Sequence, residues 1–277
     1  MRSRPWSRMG DVVACTAVAF WLLPVAWIAL TSIKPTTEIN SVQPVFWGFT
    51  PTLEHYSELF QRFEFSRIML NSFLIVPAAT LIVIVLAVFC AYALARLPVK
   101  GADQIALFIL SFRFMPGMLV VLPYYLMFQG VGLLDTHLGM ILVYVAFGLP
   151  FAVWLLRGFL LDIPHDLEEA ALLDGLGRFE IIWKIILPLA RPGIAVATIF
   201  TFVFTFVFTW NEYLFAFALT FDRAVTLPVQ LSKMIDAYSV LWGPLSAAVI
   251  LQLLPMIAVV FFIQKHMVRG LALGAVK

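Results

Sequence analysis

The chain has 277 residues, of which 62% are hydrophobic and 12% charged, with 26 Phe and 8 Trp. That apolar share lies well above the roughly 45–50% of ordinary soluble domains and marks a polytopic membrane protein. A net charge of +2 argues against nucleic acid as a partner, and the cysteines, Cys15 and Cys90, sit in apolar runs that offer neither a disulfide framework nor a Cys/His metal site.

The opening residues imitate a signal peptide, and Val12-Val13-Ala14-Cys15 imitates a lipoprotein cleavage site, but the apolar run before Cys15 is too short. Residues 12–33 carry no charge over 22 positions, and about 20 residues cross hydrocarbon as a helix, so this stretch is predicted to be a retained first span. Residues 34–67 follow as the longest segment outside the membrane, with Glu38, Glu54, Glu58 and Glu64. Further spans are predicted at 68–95, 104–128, 136–156, 192–219 and 244–264, giving an all-α, six-helix membrane bundle read as a single domain. The internal prolines Pro24, Pro77, Pro116, Pro123, Pro150 and Pro255 are tolerated where neighbouring helices re-satisfy the freed carbonyls.

In the third span Arg113 is ionisable within an apolar run. Such a residue pairs with an acid such as Glu212 or one on a partner subunit, or else contacts an anionic substrate.

Between spans four and five, EEAALLDGLGRFEIIWKIILPLA concentrates Glu168, Glu169, Asp174, Arg178, Glu180 and Lys184. Pro164 and the D-x-x-E pair Asp166 and Glu169 read as a helix start, and Asp174-Gly175 ends that helix with a residue able to take positive φ. A second helix is predicted from about Arg178 to Leu187, stopped by Pro188. The segment therefore reads as a short helix, a turn and a helix, either closing the bundle as an interfacial hairpin or docking on another protein. Acidic residues in place of Lys/Arg on the first helix, and the shallow face made by Ala170-Ala171, favour docking.

In the fifth span, Thr/Phe alternation imitates a strand, which cannot cross a bilayer alone. At about 100° per residue Thr198, Thr201, Thr205, Thr209 and Glu212 share one narrow helical sector. That stripe either lines a substrate pathway, with Asn211 and Glu212 offering hydrogen bonds and Trp210 or Tyr213 an apolar platform, or packs against a neighbouring helix with its hydroxyls bonded to i−4 carbonyls.

With the N-terminus inside, the cytoplasmic segments 1–11, 96–103, 157–191 and 265–277 hold 12 Lys/Arg against 5 on the other side, so both termini are expected in the cytoplasm.

The run Glu169-Ala170-Ala171, three residues, Gly175, nine residues, then Ile185-Ile186-Leu187-Pro188 resembles the EAA motif of permease subunits of binding-protein-dependent ABC importers. The resemblance covers nearly the whole chain and narrows to the MalG-like carbohydrate-uptake permeases through Asn71-Ser72-Phe73, CAYALARLPVKG at 90–101, GLLDTHLGMIL at 132–142, LPFAVWLLRGF at 149–159, WNEYLFA at 210–216 and the tail QKHMVRGLALGAVK. It implies coupling helices that seat in an ATPase subunit through Glu169, Ala170, Ala171, Asp174 and Gly175. A tail contact through Arg269 and Gly270 is also implied, the alternative for that tail being a simple cationic anchor. It further implies a bacterial inner-membrane location, a second MalF-like permease, an ATPase dimer holding ATP and Mg, and a periplasmic or lipid-anchored binding protein that meets the loop 220–243.

No G-x-x-x-x-G-K-[ST] loop is present, so the chain itself is not expected to hold nucleotide or any cofactor. Its four His are scattered, no nucleophile motif stands out, and an enzyme reading lacks a catalytic constellation. The expected function is ATP-driven uptake of a carbohydrate or derivative by alternating access, with a polyol, a glycerol phosphate or another anionic sugar as alternative cargo. A secondary transporter, which would show inverted repeats and midplane carboxylates, is the other transport reading.

Overall fold

A computed structural model describes residues 5–43, 45–162, 171–181, 183–184, 187–236 and 238–274. The helices are α1 (Pro5–Ser32), α2 (Thr36–Ile39), α3 (Glu54–Arg62), α4 (Phe65–Arg96), α5 (Ala102–Ser111), α6 (Gly117–Val131), α7 (His137–Leu161), α8 (Arg178–Ile181), α9 (Leu187–Trp210), α10 (Leu214–Leu219), α11 (Leu227–Ser232) and α12 (Trp242–Gly274). Among the described residues the only β pairing is an isolated bridge between Ile235 and Val240. Met9–Ser32, α4, α7 and Trp242–Phe261 are long and apolar enough to cross a membrane. The chain is an all-helical, multi-pass membrane protein.

Two of the six expected spans are not single rods. The third, expected at 104–128, consists of α5 with a 3₁₀ turn at Phe112–Phe114, then α6, bent by 91°. The cause is Pro116, whose ring drives Met115 out of the helical region to φ −66°, ψ 125°. The fifth, expected at 192–219, is interrupted at residues 211–213, where α9 ends and α10 begins. Asn211 turns its side-chain amide back onto the Val207 carbonyl (2.7 Å), and Glu212 supplies the acceptors that start α10. Pro188 also differs from expectation. It lies in the first turn of α9, where its missing N–H costs nothing, and so begins a helix rather than stopping one.

Contacts divide the chain into two compact units. One comprises Met1–Arg67 and Gln230–Met256. Its centre is His55, 1% exposed, whose Nε2 bonds the Lys34 carbonyl at 2.7 Å. Gly243 lies on the His55 ring so closely that a Cβ there would sit 2.2 Å from it. The other unit comprises Ile68–Val229 and Ile257–Lys277. There α7 is the central helix, packing on α5, α9 and α10, while α10 also packs on α6. Close approach of α7 and α9 depends on Gly148, where a Cβ would meet Val83 at 3.0 Å and Thr205 at 3.4 Å.

Candidate functional site: a closed cavity among broken helices, and the two ends of α7

Three of the five residues expected to line a pathway come together. Arg113, Thr205 and Thr209 line one small cavity with Tyr144, Phe147 and Phe208. Its volume is about 10 Å³, room for at most one water. Arg113 lies 4.1 Å from the Phe208 ring centroid and donates to the Phe147 carbonyl at 3.3 Å. Among the described residues it has no ion pair with Glu212 or any other acid. Glu212 is nearby through Tyr144, whose hydroxyl donates to Oε2 at 3.4 Å. The same carboxylate accepts from the amides of Phe215 (2.8 Å) and Ala216 (3.1 Å), so from one residue before the N-cap Tyr213 it satisfies two free N–H groups in the first turn of α10.

The threonine stripe is a real face of α9. Thr201, Thr205 and Thr209 are buried, and Thr209 donates to the Thr205 carbonyl at 2.7 Å. Trp210 is buried too, stacked on Phe206 and tilted by 60° to Phe73, with both ring centroids 5.2 Å away. Tyr213 stacks on Phe217 and remains half-exposed, and Asn211 is exposed. The gap among Arg113, Tyr144, Thr205 and Thr209 is too small for a sugar ring, and Asn211 lies outside it. Sequence reasoning missed Tyr144, a hydroxyl in an apolar run that only the fold places beside Glu212.

At the beginning of α7 lies a second cluster that the sequence did not disclose. Asp135, at φ 56°, accepts from the backbone N–H groups of Phe221 (3.0 Å), Asp222 (3.2 Å), Arg223 (3.0 Å) and Ala224 (3.2 Å). Its own N–H donates to the Leu219 carbonyl at 2.8 Å. Partial burial pushes its carboxyl upward, but the four amides outweigh that and hold it below the usual aspartate value. Asn71 completes the clamp by donating to the carbonyls of Arg223 (2.8 Å) and Val225 (3.0 Å) while accepting from His137 Nε2 (2.8 Å). Ser72 accepts from the Leu227 amide at 3.1 Å. Every one of these contacts with the loop grips backbone, leaving the side chains of Phe221, Asp222 and Arg223 exposed.

Past the other end of α7, the turn at Asp174-Gly175 has the expected form. Gly175 takes φ 82°, its N–H bonds the Leu172 carbonyl and the Leu176 N–H bonds the Ala171 carbonyl, both at 3.1 Å. These are the two bonds of a Schellman C-cap. Ala171 is buried, whereas Leu173 is 89% exposed. On the far side Glu180 accepts from the Gly177 amide (3.1 Å) and from Lys184 (2.7 Å), which together hold its carboxyl below the ordinary value. Glu169, Ala170 and the capping pair lie outside the described residues. Arg269 and Gly270 fall in the last turns of α12.

Comparison with known proteins gives these clusters a context. The family model described as "Binding-protein-dependent transport system inner membrane component" matches residues 64–273. The probable ABC transporter permease protein y4oR of Sinorhizobium fredii is 34% identical, over 95% of this chain and 93% of its own. The trehalose transport system permease protein SugB of Mycobacterium tuberculosis is 34% identical, over 100% and 98%. A chain of the crystal structure of a bacterial ABC transporter involved in alginate import shares the fold, with a TM-score of 0.74 at 22% identity over 96% of this chain and 99% of that one. The model covers both the Asp135 clamp and the Gly175 turn, and the chain belongs to the family of inner-membrane components of binding-protein-dependent transport systems.

Proposed function

We propose that this chain is one of two permease subunits of an ATP-driven importer that carries a carbohydrate or sugar derivative by alternating access. ATP and Mg are held by a separate ATPase dimer, and an extracytoplasmic binding protein delivers the cargo. The observation that carries the reading is the Gly175 turn, a self-capped helix end with Leu173 in solvent, sited where the EAA motif falls. A large apolar side chain held out on a short, defined turn suits insertion into a partner's cleft.

In this reading residues 163–188 lie in the cytoplasm and residues 132–136 and 220–241 on the opposite side. Glu169, Ala170, Ala171, Asp174 and Gly175 dock on the ATPase, with Arg269 and Gly270 of the tail beside them. Closure of the ATPase dimer favours one state of the bundle over the other, and differential affinity moves it. The helix breaks at Met115-Pro116 and Asn211–Tyr213 are the points able to yield, because hinge motion concentrates where the ladder of hydrogen bonds is already interrupted. Their opening would expose Arg113, Thr205, Thr209 and Glu212 to the cargo, beside the already exposed Asn211. The carbohydrate assignment is supported by the trehalose permease among the relatives. Arg113, which has no acid partner among the described residues, leaves an anionic sugar or glycerol phosphate open as cargo.

The test is ATP-dependent uptake by the full importer reconstituted with its binding protein. Glu169→Lys is expected to abolish uptake and release the ATPase from the permease pair. Undiminished transport with that variant in a correctly inserted complex overturns the docking role. Unchanged uptake and cargo preference in both Glu212→Gln and Glu212→Ala removes Glu212 from the pathway.

A further inference from the structure

Within the unit formed by Met1–Arg67 and Gln230–Met256, a cavity of about 370 Å³ opens where α1 ends and α12 begins. Its size falls in the range of small-ligand pockets, roughly 300–1,000 Å³. Two charges of opposite sign line it, Lys34 and Glu38, and among the described residues neither is in an ion pair. Lys34 is 4% exposed. Its ammonium donates to the Val45 carbonyl and lies 5.0 Å from the Trp27 ring and 5.3 Å from the Phe49 ring. An ammonium has three donors, and burying one without an anion is costly.

The remaining walls narrow the ligand. Ile28, Leu245 and Val249 make an aliphatic floor, while Trp27 and Trp242 stand half-exposed at the rim. Indole rings at the ends of membrane-spanning helices mark the membrane–water boundary. The exposed apolar residues of α1, from Val12 to Val25, continue the floor along a lipid-length surface. A free anion would be repelled by Glu38 and a free amine by Lys34, and a sugar would leave the floor in contact with hydroxyls. A ligand with a phosphate, an amine and an acyl tail meets all three requirements.

We propose that this cavity binds the headgroup of an aminophospholipid, the phosphate on Lys34, the ammonium at Glu38 and the acyl chains running down the α1–α12 floor. Bound lipid would fix the segment 34–49 against the start of α12 independently of cargo.

The test counts lipid retained by the complete importer, purified in detergent with all its subunits and titrated with phosphatidylethanolamine or phosphatidylglycerol, using native mass spectrometry. The expected result is one saturable phosphatidylethanolamine site about tenfold tighter than for phosphatidylglycerol, a ratio that one added charge contact supplies. Glu38→Gln, at a half-exposed side chain with no partner among the described residues, is expected to erase that ratio while leaving the fold intact. Lys34→Gln is expected to lose both lipids. Soluble glycerophosphoethanolamine should compete at high concentration and trehalose should not. Equal retention of the two lipids, an unchanged ratio in Glu38→Gln, displacement by trehalose, or no exchangeable lipid in the assembled complex would each overturn the proposal.

Discussion

At the start of α7 one carboxylate gathers four backbone N–H groups, whereas beyond its other end the chain turns on a glycine whose missing Cβ would touch nothing. The first region is held by contacts 86 to 89 residues apart in sequence; the second is held by two bonds between near neighbours. A loop gripped through its backbone keeps its shape whatever meets it. A turn with an exposed leucine and, among the described residues, bonds only to near neighbours leaves an apolar side chain free to be covered. The difference teaches that rigidity at one end is built from contacts distant in sequence and at the other from bonds between near neighbours.

The largest test of that contrast is Asp135→Ala. It orphans four amides and leaves a residue at φ 56° without the short polar side chain that tolerates it. The expected cost is about 3 kcal/mol, by the scale of hydrogen bonds to charged groups, read as a lower midpoint of thermal unfolding in detergent and faster proteolysis at Arg223. The clamp also has a pH signature. Because the folded carboxyl lies below the ordinary aspartate value, its contribution is fully present above that ordinary value and is lost as pH falls through the folded one. Asp135→Asn should flatten the stability profile in that acid window. An unchanged profile would mean that the amides do not hold the charge.

Asn71→Ala comes next, at about 2 kcal/mol for two donated bonds and one accepted. A double variant with Asp135→Ala should cost less than the sum, because both residues grip the same loop. Strict additivity would indicate two independent anchors rather than one clamp.

Gly175→Ala is expected to act differently. The new methyl meets no atom, so the cost is the conformational one, roughly 1 kcal/mol for an L-residue at positive φ. The unfolding midpoint of the permease should hardly move while coupled ATPase activity falls. A large drop in the midpoint with coupling intact would reverse the assignment of the two ends.

What the sequence disclosed follows the same division between local and distant. The Schellman turn is written in six consecutive residues, Ala171 to Leu176, and was legible from Asp174-Gly175. The rods α1, α4, α7 and α12 were legible from charge-free runs. The breaks were not, because Pro116 looks no different from Pro24, Pro77 or Pro150, which remain inside helices. Only the neighbouring packing decides which proline is absorbed. Glu212 stood out as an acid in an apolar run, but its engagement with the amides of Phe215 and Ala216 depends on the helix ending there. Asp135 resembled an ordinary turn residue, since nothing in GLLDTH points to partners so far along the chain.

The smallest effect on stability is expected from Leu173→Ser, and it discriminates best. A side chain 89% exposed contributes little to the isolated subunit, so its stability should stay within about 0.5 kcal/mol of the parent and the unfolding midpoint should hardly move. An apolar anchor buried at an interface is a different matter, because removing it opens a gap against the partner. Co-purification of the ATPase with the permease pair should therefore fall while the folded permease remains intact. If instead the ATPase stays bound and the midpoint drops, Leu173 packs within this chain and the turn is a lid on the bundle rather than a joint.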